Sequence, residues 1–307
     1  MPAMRAVRLT SIGVPLQNAT LDDPRPGPGE ISVAIRAAGI CHSDAHYRAG
    51  KGRINLPLTL GHEIAGVVEG TGQRVALHYL LPNGDMLGKE VDGGYAERIV
   101  VPANNAVPIP DEVSFEQAAI MMCSTATAHH ALNLSALAKG ESVAILGFGG
   151  LGVSAVQLAR MRGAGEIFAI DVVAQKLELA KSFGATPVGR GALPPADVVL
   201  DFAGHAPTTL AALRALKPGG RLIVVAINLR QLEIDPYADV LAKERRIIGC
   251  ADHTREELVE LMQFAREGRI DLSRAITRTV SLDTDEISEV LDDLDRGTSH
   301  LRTVIRI

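Results

Sequence analysis

Cys41, His62 and Cys123 bring two thiolates and one imidazole into a single chain, the histidine 21 positions after the first cysteine. Three protein ligands of this kind are what a catalytic zinc takes, leaving a fourth position for water or substrate. Each residue alone is ordinary, since cysteine is often a small buried apolar side chain and a lone histidine usually has a packing role. Their company changes the reading. A glycine-rich stretch, Gly147-Phe148-Gly149-Gly150-Leu151-Gly152, begins shortly after the third candidate ligand. A Lewis acid beside a dinucleotide site points to hydride chemistry on an alcohol or a carbonyl. Two thiolates neutralise the charge of zinc yet leave it a Lewis acid, able to favour ionisation of a hydroxyl, as zinc lowers the pKa of water from about 15.7 to about 7 elsewhere.

The glycine stretch alone would be a weak signal, but its context is the one the fingerprint requires. It follows the apolar run Glu141-Ser142-Val143-Ala144-Ile145-Leu146 and opens a helix. Asp171 ends the next strand, 19 positions beyond Gly152. Gly147 suits the tight turn, Gly149 a close approach to a pyrophosphate, and Gly152 close packing of helix on strand. The helix N-terminus then faces the phosphates. Asp171 is placed to hold the adenosine ribose hydroxyls and to repel a 2′-phosphate, which favours NAD over NADP. Beside the metal set, Asp44 suits acceptance of the second N–H of His62, and Glu63 is close enough in sequence to approach the metal during ligand exchange.

The elements that must position these groups fall into two parts. Early in the chain, short apolar stretches are punctuated by glycine and proline, and 31–38, 65–69 and 74–79 read as strands. From about residue 115 the pattern changes to alanine-rich helix, then to alternating strand and helix. Strands are expected at 141–146, 166–171, 197–201 and 221–226, and helices at 153–161 and about 174–183. Alternation at this length predicts a parallel, doubly wound sheet. The expected fold is therefore α/β, a β-rich domain over 1–122, with the tail 251–307 returning to it, and a dinucleotide domain over 123–250. The stretches 107–111 and around Cys123 are expected to form the hinge. With 307 residues, 47% of them hydrophobic, the chain has ample material for two cores. Its net charge of −5 gives no reason to expect nucleic acid or an acidic membrane as partner. The absence of an apolar run of membrane-spanning length or of a signal-like start, with three unpatterned cysteines, predicts a cytoplasmic protein.

In this order, several motifs make the chain resemble the zinc-dependent medium-chain alcohol dehydrogenases almost end to end. They are Pro28-Gly29-Glu30, Gly39-Ile40-Cys41-His42-Ser43-Asp44, Gly61-His62-Glu63, Asp92-Gly93-Gly94-Tyr95-Ala96-Glu97, Cys123, the glycine loop with Asp171, and Lys217-Pro218-Gly219-Gly220. The resemblance implies a GroES-like catalytic domain joined to a Rossmann domain, with the active site in the cleft between them. It implies Cys41, His62 and Cys123 as zinc ligands, Ser43 as the hydroxyl that takes the alcohol proton, and His46 as the group that passes it to solvent. It places His42 and Arg302 at the cofactor phosphates, Thr127 and Val225 near the nicotinamide, Lys176 at the adenosine ribose, and Tyr79 in the wall of the substrate pocket. The implied reaction is reversible hydride transfer between a small alcohol and NAD, giving an aldehyde or ketone, in a homodimer or homotetramer.

Two departures from the family pattern are visible. The segment from Val75 to Gly93 is short and holds no cysteine, so the second, structural zinc of many relatives is expected to be absent with most of its lobe. A loop after Val68-Glu69-Gly70 is abbreviated as well. A polyol dehydrogenase is an alternative within the fold. A zinc-free, quinone-reductase-like or nucleotide-sensing protein is the alternative outside it, and it requires the metal ligands to be coincidental.

Overall fold

A computed structural model describes residues 3–189, 191, 193–228, 230–297 and 300–307. The chain forms two compact units, Met1–Cys123 together with Arg255–Ile307, and Ser124–Thr254. Among the described residues no helix is long and apolar enough to cross a membrane.

The first unit is built around the strand Glu30–Ile40. Its outer half alternates between buried and partly exposed positions, as a half-covered strand must, and its last four residues are all buried. Glu63–Val68 pairs antiparallel along one side of it, Arg302–Arg306 and then Arg98–Pro102 along the other. Arg74–Leu77 and Ala106–Pro108 extend the sheet beyond Glu63–Val68, and Ile276–Ser281 closes the far edge. Ala3–Leu9, Gln17–Asp22 and Leu58–Thr59 make a separate three-stranded sheet. The helix Thr284–Arg296 starts on Asp283, whose carboxylate accepts from the amides of Asp285 and Glu286. Ile287, Val290 and Leu291, spaced for one helix face, join Leu9, Ile40, Leu58 and Leu60 in a single core.

The segment expected as a hinge, 107–111, behaves differently. Ala106–Pro108 is an edge strand paired with Arg74–Leu77, where a proline is tolerated because one side of the strand needs no ladder bond. The boundaries between the units fall after Cys123 and after Thr254.

The second unit is a six-stranded parallel sheet. Its spatial order is Thr186–Val188, Ile167–Ile170, Val143–Leu146, Ala196–Asp201, Leu216–Val224, Arg246–Gly249. Counted within the unit this is 3-2-1-4-5-6, the doubly wound dinucleotide order, with its crevice where the order reverses beside Val143–Leu146. Val143–Leu146 is buried throughout, as a central parallel strand should be. Leu216–Val224 begins earlier than expected, taking in Lys217-Pro218-Gly219-Gly220, and ends one residue before Val225.

Candidate metal centre and nucleotide site

The metal candidates converge because three neighbouring strand ends lie side by side. Gly39 stands opposite Glu63, and Ile40 opposite Thr303. The residue after the central strand, Cys41, therefore emerges beside the His62-Glu63 end of one neighbour and the Arg302 end of the other. Cys41 caps the helix His42–Arg48. Cys123 arrives from a separate direction, on a π-helical turn, Met121–Thr125, inserted between the helices Phe115–Ile120 and Ala126–Ser135. Such turns shift side chains off the regular helical face and recur at functional sites. The ligand atoms of Cys41, His62, Glu63 and Cys123 all lie within 4.8 Å of one another. Two sulfurs, an imidazole nitrogen and a carboxylate at this separation suit the bond lengths and the preference of zinc.

The surrounding groups hold this set in place. Asp44, with no exposed surface, meets the Nδ1 of His62 through Oδ1 at 3.1 Å. Its Oδ2 accepts from the Cys41 amide at 2.8 Å and from the Tyr95 hydroxyl at 2.9 Å. With Nδ1 committed to Asp44, the other imidazole nitrogen is the one left for a metal. Arg302, almost fully buried, donates to Glu63 Oε2, while Glu63 Oε1 and Arg302 Nε have no hydrogen-bond partner among the described residues.

Burial pushes the Glu63 carboxyl up to about 7 against the pull of Arg302. The hydrogen bond from Cys123 holds the Cys41 thiol well below its usual value despite burial, and that same bond together with burial pushes Cys123 up. Burial works against a charged His62, but the Asp44 carboxylate outweighs it and raises the imidazole. These acids crowd a buried site in which Arg302 is the fixed cation, an arrangement that a divalent ion would relieve.

Ser43 and His46 sit three residues apart on His42–Arg48, on one helix face, both half-buried. Burial first, then the charges of His42 and Lys51, holds the His46 imidazole below its usual value. The ring of the exposed His42 lies tilted against that of His46, with centroids 4.6 Å apart, and its Nε2 lies 3.6 Å from Asp295. Tyr79 is buried edge-on to His62, with ring centroids 5.4 Å apart.

In the second unit, Val143–Leu146 runs into the glycine loop and the helix Gly150–Met161 follows at once, with Leu151 in its first turn. Gly147 has a φ of +89°, open to glycine at little cost. A Cβ at Gly152 would collide with the Gly147 carbonyl, whereas one at Gly149 would meet nothing within 4 Å. Asp171 follows Ile167–Ile170, and its two oxygens accept from the amides of Phe148 (2.8 Å) and Val173 (2.9 Å). Each oxygen keeps a lone pair for a further donor. Gly147, Asp171, Val172, His205 and Thr208 help line a cavity of about 740 Å³. Thr127 in Ala126–Ser135, Lys176 in Ala174–Ser182 and Val225 after Leu216–Val224 lie outside that lining. Arg302, expected at the cofactor phosphates, belongs to the first unit and is engaged with Glu63. The engagement of Tyr95 with Asp44 was not anticipated. The signal was available, because Tyr95 lies inside a glycine-flanked motif whose purpose composition does not explain.

Two family profiles match the chain, "Alcohol dehydrogenase GroES-like domain" over residues 27–111 and "Zinc-binding dehydrogenase" over residues 150–267. An alcohol dehydrogenase of Geobacillus stearothermophilus is 33% identical, covering 99% of this chain and all of that protein. The alignment runs over 343 positions, against 307 residues here. An NAD-dependent alcohol dehydrogenase of Sulfolobus acidocaldarius is 30% identical over 99% of this chain and 100% of its own length. Among solved structures, a putative zinc-binding dehydrogenase of Sinorhizobium meliloti bound to NADP is 28% identical with a TM-score of 0.90, each chain covered completely.

Proposed function

The chain belongs to the zinc-binding medium-chain alcohol dehydrogenases, and we propose from that premise that it carries one zinc, held by Cys41, His62 and Cys123, and oxidises a small alcohol with NAD. The observation that carries the reading is the gathering of two thiols, an imidazole and a carboxylate within 4.8 Å. A zinc-free function would leave these groups crowded together, buried, to no purpose. When bound, zinc supplies the Lewis acidity that favours ionisation of a substrate hydroxyl, and NAD supplies the hydride acceptor.

The chain's own residues do the rest. Ser43 receives the hydroxyl proton, and His46, one helical turn further on, passes it toward solvent. Burial and the neighbouring charges of His42 and Lys51 lower the basicity of His46, which favours the neutral ring that can accept a proton. Asp44 fixes the tautomer of His62, and Arg302 balances Glu63. In the other unit the amide-rich glycine loop receives the pyrophosphate at a helix N-terminus, and Asp171 holds the adenosine ribose. With three cysteines in the chain no four-thiolate structural site can form, so zinc content is one per chain. The test is a panel of primary, secondary and vicinal alcohols, with the corresponding aldehydes and ketones, assayed in both directions with NAD and NADP. NAD-linked turnover of simple alcohols supports the reading, polyol-only turnover favours a polyol dehydrogenase, and turnover confined to quinones overturns it.

A further inference from the structure

The motif Asp92-Gly93-Gly94-Tyr95 has no part in the chemistry above, yet it is bound tightly to the metal centre. Its backbone pairs with the strand leading into His62. The Gly93 amide donates to the Thr59 carbonyl at 2.8 Å, Gly94 to Gly61 at 2.7 Å, and Tyr95 to Leu60 at 3.0 Å. Gly61 has a φ of +94°, and a Cβ there would overlap the Tyr95 ring. The ring therefore lies against the backbone of the residue immediately before His62. Tyr95 has no exposed surface and packs in the core with Leu9, Ile40, Leu58 and Leu60. Its hydroxyl is spent on Asp44, the carboxylate that also takes the Cys41 amide and faces the His62 ring.

We propose that Tyr95 is a positioning residue for the metal centre, its hydroxyl anchoring the Asp44 carboxylate so that Cys41 and His62 are held together in ligating geometry. The inference rests on the zinc reading above. Packing alone demands only the ring, which phenylalanine would supply. A phenolic hydroxyl in an apolar core is costly unless it is hydrogen-bonded, so its presence needs a use. The use is geometric. One carboxylate reaches the backbone of one ligand and the side chain of another, and it can turn about its own Cβ–Cγ bond. A third donor, on a ring wedged against Gly61, fixes that rotation and with it the separation of thiolate and imidazole.

The test is Tyr95→Phe in the full chain, alone and in an Asp44→Ala background. Zinc affinity is read by competition with a chromophoric chelator, and ligand geometry by the visible absorption of the cobalt(II)-substituted protein. Loss of a group that touches a ligand directly typically weakens metal binding about 10–100-fold, so a group one step further out should weaken it about three- to tenfold. The cobalt bands should shift, and kcat should fall with KM for NAD unchanged. In the Asp44→Ala background the substitution should add nothing. Melting of the metal-free proteins separates a folding effect from a metal effect. Zinc binding by the parent with unchanged affinity and cobalt spectrum in Tyr95→Phe overturns this inference alone, as does an equal loss in both backgrounds. A parent that takes up no zinc overturns the reading beneath it.

Discussion

Gly39→Ala is a one-carbon change that the structure makes severe. Gly39 is buried in the middle of the first unit's sheet, opposite Glu63 on one side and Val304 on the other. An alanine methyl would overlap Glu63 Oε2, the atom that accepts from Arg302, and would stand about 3.0 Å from the Glu63 Cβ and Cδ. The carboxylate can escape only by swinging off Arg302, which is almost wholly buried. Overpacking by a methyl costs about 1–3 kcal/mol, and complete loss of one partner of a buried pair costs about 3–5 kcal/mol. Partial retention of the pair puts the expected destabilisation at about 2–4 kcal/mol. For a unit of 150–250 residues each kcal/mol lowers Tm by roughly 2–4 °C, so the melting point should fall by roughly 4–16 °C. Differential scanning calorimetry of the metal-free protein reads this directly. Gly249→Ala is the control, since a Cβ there meets nothing within 4 Å, and surface changes of that kind stay within about 0.5 kcal/mol. A Gly39→Ala protein that melts with Gly249→Ala and the parent would refute the argument that Gly39 makes room for the Glu63–Arg302 pair.

Two further expectations concern the reaction. Burial and the charges of His42 and Lys51 hold the His46 imidazole below its usual value, so alcohol oxidation by the parent should persist to lower pH than an ordinary imidazole relay would allow. His46→Gln should slow oxidation most at the acid end, by up to about 100-fold, and superimposable pH–rate profiles would remove His46 from the proton path. Against NADP, the Asp171 carboxylate meets a 2′-phosphate of about −1.5 to −2 charge, and Val172 and Val173 offer no cation. kcat/KM for NAD should therefore exceed that for NADP by about a hundredfold, roughly 2.7 kcal/mol, and Asp171→Gly should narrow the gap mainly by harming NAD. Equal efficiency with both cofactors in the parent would show that Asp171 does not set the choice.

Much of this arrangement is legible in the sequence because it is local. The alternation of Val143–Leu146, Ile167–Ile170 and Ala196–Asp201 with helices is a periodic signal, and the glycine loop sits where strand turns to helix. The metal donors are marked by residue type. What the sequence hides is register and direction. Nothing in residues 302–306 says that the strand lies beside Glu30–Ile40 and turns Arg302 onto Glu63. The π turn at Met121–Thr125 is equally hidden, because an alanine-rich run carries no mark of one widened turn. Residues 107–111 read as a hinge because the three-residue strand Ala106–Pro108, ending in proline, has too little periodicity to declare itself. Tyr95 was visible as a letter in a motif, but its bond to Asp44 spans 51 positions and depends on the backbone hydrogen bonds between residues 59–61 and 93–95.

The most direct test of the central claim is metal content measured together with turnover, on the parent, Cys41→Ala and Cys123→Ala. About one zinc per chain is expected in the parent, and in each variant a folded protein that has lost both the zinc and the NAD-linked oxidation of alcohol. Two tightly held zincs per chain, or undiminished turnover in protein freed of zinc, would contradict it.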